Sequence, residues 1–352
     1  TLIALVITII ILLILAGISI SALTNQGLFK NAKTAQKETE KAEAEQGQRL
    51  NEYEDEINKY LSNNDKKEEK LVDKVKDGTI KIGDYVKYIP DTANTTEILQ
   101  ELNTYSGSDK NTTSTLTQES LNWRVLDIKD GQVRLISELP TTSKITLSGY
   151  NGYNNAVKLL DDTCSTLYTN KQLASKVQNI KIEDIQDKMI ETDYSKFDSN
   201  YGKKFTPTIK YYPNILIKEK EQKVNGTAGT ELGLSEQTEL INQTTKTQAS
   251  SLEVKYTYWY KTMTTNDFKN SKYYELFINN GSNYSTYWMS SRCVNAGSYG
   301  ADFNVRRVYS GGVFANYLCL ANGYEYPGAC AFRPIITLNS NVQIDTANSG
   351  NG

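Results

Sequence analysis

The chain contains no histidine. That absence removes the commonest general base, the commonest metal ligand and the usual switch at physiological pH. Ser-His-Asp chemistry, histidine-ligated zinc and histidine-dependent metalloprotease sites are therefore excluded. Proline is scarce, with 6 in 352 residues, and none precedes Pro90. Cysteine is limited to four residues, none in a Cys-x-x-Cys spacing. An excess of either charge is also missing: 39 Lys and Arg stand against 41 Asp and Glu, a net charge of −2. Nothing in that balance draws the chain to nucleic acid, and no nucleic-acid partner is expected. No repeat of 20–50 residues is visible. The length suits one large or two ordinary domains.

What is present is concentrated at the start. Residues 1–23 form an aliphatic run, and the first charged side chain is Lys30. An intact secretory signal carries its positive charge first, so a basic leader is expected to have been removed ahead of Thr1. As a helix, the run to Leu23 is long enough for a hydrocarbon core of ~30 Å. It could equally be buried against copies of itself. Beyond it, Ala32, Ala35, Ala42, Leu50, Tyr53, Ile57 and Leu61 recur at mostly helical intervals within a densely charged stretch. The spacing predicts one helix from Leu2 to about Tyr60, roughly 90 Å long at 1.5 Å per residue. Asn25-Gln26-Gly27 is its weakest point. On these residues alone the segment reads as a membrane anchor with a coiled stalk.

Thr1-Leu2-Ile3, the unbroken aliphatic run and the amphipathic continuation resemble the mature N-terminus of type IV pilins, with the flavour of Gram-positive pilin-like proteins. The resemblance implies processing by a prepilin peptidase and residence in the cytoplasmic (inner) membrane before assembly. An assembly ATPase would then drive polymerisation with copies of itself into an extracellular filament. Carried onto this sequence, the filament core would be Leu2, Ile3, Ala4, Leu5, Ile7, Ile10, Leu13, Ile14, Gly17 and Ile18. One departure stands out: the family places Glu after Thr-Leu-Ile, and Ala4 is here instead. A neutral residue avoids burying an unpaired carboxylate, yet it removes the family's registry device.

A charged linker, residues 62–79, leads to a β-rich body over 80–345 and a tail at 346–352. Gly83 to Ile89 alternates as a strand. Residues 91–119, rich in Thr, Ser and Asn, read as a long surface loop. Trp123–Ile128 and Gln132–Ser137 flank Lys129-Asp130-Gly131, which predicts a β-hairpin. Helical spacing follows over Asn154–Tyr168 and, more briefly, Ile182–Met189. Residues 191–255 read as an insertion with an apolar island at Tyr211–Ile217. Short strands separated by Gly and Asn turns close the chain.

The Trp123 hairpin, Tyr287-Trp288-Met289-Ser290-Ser291 and Phe332-Arg333-Pro334 together resemble the C-type lectin-like fold of bacterial surface domains and, more distantly, formylglycine-generating enzymes. The expected fold class is therefore α+β, a long N-terminal helix joined to a β-rich, C-type-lectin-like body. If that holds, residues 309–326 face a ligand, with Tyr309, Asn316, Tyr317, Asn322, Tyr324 and Tyr326 on the surface. Tyrosine, present 24 times, gives a flat apolar face and a hydroxyl at low entropic cost, which suits glycan or protein recognition. Equally, these residues could simply cover the body and line subunit contacts.

Four cysteines in a surface protein favour two disulfides with three possible connectivities. Cys319 and Cys330 flank a turn and would pair across a hairpin, leaving Cys164 for Cys293. Free buried thiols are the alternative. No cysteine spacing singles out copper, redox or zinc chemistry, so neither an enzyme nor a cofactor is expected. The sequence thus points to a pilin-like filament subunit displaying an adhesive body. A membrane-anchored monomeric adhesin and a minor tip pilin are the alternatives.

Overall fold

The computed structural model describes residues 69–344, apart from 110, 112–115, 208–210, 223–234, 249–251 and 280–284. The expected N-terminal helix and all ten filament-core residues, Leu2 through Ile18, lie outside these residues. Among the described residues no helix is long and apolar enough to cross a membrane.

Six helices occur among the described residues: α1 (Leu71–Lys76), α2 (Thr96–Tyr105), α3 (Gly149–Tyr168), α4 (Ile182–Gln186), α5 (Ile215–Gln222) and α6 (Lys272–Phe277). The longest has 20 residues. Strand outweighs helix, so the expected class, α+β with a long N-terminal helix and a lectin-like body, is corrected to a strand-dominated body with short helices. The body begins at Glu69, and Leu71 and Val72 of α1 are already in its core.

The larger sheet comprises β1 (Tyr85–Val86), β2 (Trp123–Lys129), β3 (Gln132–Ser137), β5 (Ala174–Asn179) and β15 (Pro334–Leu338), in the order β1-β2-β3-β15-β5. The predicted hairpin is its centre. Lys129 pairs with Gln132, and both turn residues have positive φ, Asp130 at 51° and Gly131 at 78°. That is the two-residue turn whose twist matches its strands, and Asp-Gly suits it. The second sheet has the order β10 (Lys261–Thr262), β13 (Gly312–Leu320), β12 (Ala301–Tyr309), β11 (Tyr287–Ala296). Ser310 and Gly311, at φ 47° and 84°, make the same kind of turn between β12 and β13. A ribbon of β4 (Ile145–Ser148) and β14 (Pro327–Cys330) completes the frame.

Helix α3 packs against strands of both sheets. Val157, Leu160, Cys164 and Leu167 are buried as their spacing predicts, but the helix starts five residues before Asn154 and is buried on almost every side. Two expectations fell short locally. Only Tyr85–Val86 of the predicted first strand is in the sheet. The supposed loop 91–119 contains α2, whose Ile98, Leu99 and Leu102 bury one face. The insertion holds α5 and the two-residue strands β6 (Lys204–Phe205), β7 (Tyr211–Tyr212), β8 (Thr247–Gln248) and β9 (Val254–Lys255).

Successive strand residues point to opposite faces, and here both faces are buried. Trp288, Val125, Leu135 and Ile336 join one apolar cluster with Trp123, Phe303 and Phe332. Their neighbours Tyr287, Leu126, Ile136 and Ile335 join a second with Trp259, Phe268 and Phe277. The residues that carried the lectin-like resemblance are therefore interior. Arg333 is 1% exposed, and its hydrogen bonds go to backbone carbonyls rather than to a carboxylate. Its guanidinium donates to the carbonyls of Ser137 at 2.9 Å, Glu138 at 2.8 Å and Phe277 at 3.4 Å, with its carbon 5.3 Å from the Tyr287 ring centre. Replacing Arg333 by Met should leave those carbonyls unsatisfied and cost about 2–4 kcal/mol. A denaturant titration of the variant with an unchanged midpoint would contradict that role.

Candidate recognition surface

The segment Tyr256-Thr257-Tyr258-Trp259-Tyr260 alternates, and the structure uses the alternation. Thr257 and Trp259 turn inward, 2% and 0% exposed. The Arg306 guanidinium lies 4.7 Å from the Trp259 ring centre and donates to the backbone carbonyls of Thr257 and Trp259. With their partners held this way, Tyr256, Tyr258 and Tyr260 line up. The rings run Phe205–Tyr256 at 6.1 Å, Tyr256–Tyr258 at 6.5 Å and Tyr258–Tyr260 at 6.4 Å. Tyr260 then stacks on Phe314 of β13 at 5.9 Å and 15°. Phe314 meets Tyr309 edge-on at 6.2 Å. The Arg307 guanidinium caps the series, 4.4 Å from the Tyr309 ring centre.

This ladder runs from interior to solvent. Tyr256 is buried, whereas Tyr260 and Tyr309 are 58% and 45% exposed. Each contact lies in the 4.5–7 Å range of favourable aromatic pairs, so the exposed rings are held in place by neighbours rather than by solvent-side contacts. Chemically it offers ring faces, phenolic hydroxyls and one guanidinium, a set that stacks and hydrogen-bonds but has no nucleophile–base pair. Among the described residues no group of three or more Cys, Asp or Glu is placed to hold a metal.

The six residues expected to face one ligand are divided. Tyr309 belongs to the ladder at the turn end of β13. At the far end, about 25–30 Å away for a nine-residue strand, Asn322, Tyr324 and Tyr326 sit on a hairpin. There the Tyr326 amide donates to the Leu318 carbonyl and the Leu320 amide to that of Tyr324. Lys246 fastens this hairpin, bonding the Gly323 carbonyl at 2.7 Å and Glu325 at 3.3 Å. Tyr317 is exposed midway and Asn316 is half-buried, its amide bonding the Tyr317 carbonyl. The structure does not gather the six into one patch. Sequence reading missed Tyr258, Tyr260, Phe314 and Arg307; the alternation of 256–260 was the available signal.

All four cysteines are free and buried, which corrects the two-disulfide expectation. Register explains it. The residue bridging Cys319 across its turn is Glu325, while Cys330 pairs with Ile145 on β4. The Cys164 thiol donates to the side-chain oxygen of Asn179 at 3.8 Å, and Cys293 pairs with Asn304. Burial pushes the thiols of all four upward.

Comparison with protein-family models, curated proteins and solved structures finds no match to this chain.

Burial also raises Tyr88, Tyr258, Tyr273 and Tyr287 to about 12. A tyrosine raised on folding holds its proton in the folded state while the unfolded chain releases it near pH ~10. Its stabilisation is complete below that value and is lost as pH rises through the folded one. The body should therefore lose stability between about pH 10 and 12, with a late rise in tyrosinate absorbance that coincides with loss of near-UV dichroism. A late absorbance rise with native dichroism intact would contradict this.

Proposed function

We propose that this chain is the structural subunit of a pilus-like extracellular filament whose body is a contact surface, with assembly and adhesion rather than catalysis as its task. The observation that carries the display role is the ladder Tyr258–Tyr260–Phe314–Tyr309, in which neighbouring rings hold Tyr260 and Tyr309 while both stay exposed to solvent. Preordered tyrosines lose little conformational freedom on binding, which favours stacking against sugar rings or flat side chains. The assembly role rests on the uncharged aliphatic segment 2–23 and its resemblance to pilins. Burying each large aliphatic side chain from water is worth ~1.5–3 kcal/mol. From lipid the gain is smaller and rests on packing, which is why an ATP-driven assembly machine and a prepilin peptidase are the expected partners.

Filaments sheared from producing cells should contain this chain when imaged by electron cryomicroscopy, and Ile10→Asp should abolish them while the body keeps its melting temperature. Normal filaments from that variant, or the wild-type chain recovered only as membrane-anchored single particles, would favour the anchored-adhesin alternative. For the contact surface, the double substitution Tyr260→Ala and Tyr309→Ala should reduce adhesion to a glycan array by about tenfold or more, equivalent to losing one aromatic hot spot. Unaltered adhesion by a folded double variant would remove the ladder from the contact surface.

A further inference from the structure

Six arginines fall among the described residues, and five of them, Arg124, Arg134, Arg292, Arg306 and Arg333, are buried. Arg124 and Arg134 pair with carboxylates there, while Arg306 and Arg333 bond backbone carbonyls. Arg307 alone keeps part of its side chain at the surface. It stands on β12 opposite Phe314 of β13, at the solvent end of the aromatic ladder. Its guanidinium lies over the Tyr309 ring, 4.4 Å from the centre. Among the described residues it pairs with no carboxylate and bonds no backbone carbonyl. Arginine is suited to two contacts at once: it stacks on an aromatic face, and its fork of N–H donors matches a carboxylate. Here the first contact is made and the second is open.

A second cation lies close by. Burial raises the Cys330 thiol, and Arg307 and Lys144 both pull it back down. Positive charge favours a thiolate only at short range, so the two cations share one neighbourhood. No carboxylate acts on that thiol. Lys144 is exposed, stands just before β4, and has no ion pair among the described residues. Carboxylates elsewhere along the ladder are engaged. Asp198 accepts from Tyr256 at 2.5 Å at the buried end, and Asp267 pairs with Lys261 of β10 at 2.9 Å.

In a chain of net charge −2, the exposed end of the ladder is therefore a spot of positive charge beside two solvent-facing tyrosine rings. A neutral sugar would use the rings and leave the cations unanswered. A sugar carrying an acid group on its ring would use both, and charge complementarity of this kind selects between otherwise similar partners.

We propose that the ladder selects a carboxylated sugar, such as a hexuronic acid unit of a polysaccharide, with its ring against Tyr260 or Tyr309 and its carboxylate on Arg307, assisted by Lys144. The inference rests on the ladder being the contact surface.

The test is titration of the detergent-solubilised full chain with trigalacturonate and, separately, with its methyl ester, which keeps the rings and removes the charge. The acid should bind about tenfold or more tighter than the ester, as a charge-assisted pair implies, and added salt should narrow that gap. Arg307→Gln should lower the acid to the level of the ester, and Arg307→Lys should keep part of the preference. Lys144→Gln changes an exposed side chain and should weaken the acid about two- to threefold at an unchanged melting temperature. Equal binding of acid and ester, or an undiminished preference in a folded Arg307→Gln variant, would overturn the proposal while leaving the ladder as a contact surface. If Arg307→Gln melts below wild type, unchanged preference in both Arg307→Lys and Lys144→Gln would overturn it instead. Binding of neither form also overturns it; the ladder reading then stands if the same protein binds neutral glycans on an array and falls if it binds none. An acid preference that survives the Tyr260→Ala and Tyr309→Ala double substitution would remove the ladder itself, and the inference with it.

Discussion

One buried junction holds the body together: the hydrogen bonds of Asn179 and Arg333. Asn179, fully buried, accepts from the Arg333 amide at 2.8 Å and donates to the Trp288 carbonyl at 3.0 Å. Arg333 then reaches the end of β3 and the last turn of α6 through its guanidinium. Two residues thereby join β5 and β15 of one sheet to β11 of the other. A buried cation is costly unless every donor is met. The carbonyls here meet those donors only if both sheets are in register, so the junction specifies the arrangement as well as stabilising it.

With both faces of both sheets covered, exposed aromatic surface is confined to edges and turns. The ladder runs along the β10 edge of the second sheet, where Lys261 and Thr262 alone pair with β13. A full edge strand there would have paired the segment 256–260 along its length. Instead it is anchored by Arg306 beneath and by Val294, whose carbonyl accepts from Thr257 and Tyr258. Edge position and firm anchoring together give a surface that is open yet ordered, which is what recognition by stacking needs.

The buried charges follow the same economy. Arg134, Asp127, Asp184 and Lys188 form a compact charged network inside the body. Burial would raise the Asp127 carboxyl, but Arg134 and Lys188 outweigh it and hold the value below the ordinary range. The network thus absorbs Arg134 and Lys188, while Lys181 is taken up by the Ser235 carbonyl and Asp161.

Local rules were legible in the sequence. The Asp130-Gly131 turn and its hairpin, the core spacing of Val157, Leu160, Cys164 and Leu167, and a short helix at Ile182 all follow from turn chemistry and periodicity. The apolar and uncharged character of residues 1–23 is likewise a property of composition alone. Tertiary structure decided the rest. Whether Cys319 meets Cys330 or Glu325 depends on strand register, and a register is a relation between distant segments. That Tyr309 joins Tyr260 while Tyr324 lies at the other end of β13 depends on a pairing between residues some fifty positions apart. The interior role of Trp288 and Arg333, read in sequence as marks of a fold family, emerges only when two sheets bury both their faces. Periodicity records which side of a strand a residue occupies; only packing decides what covers that side.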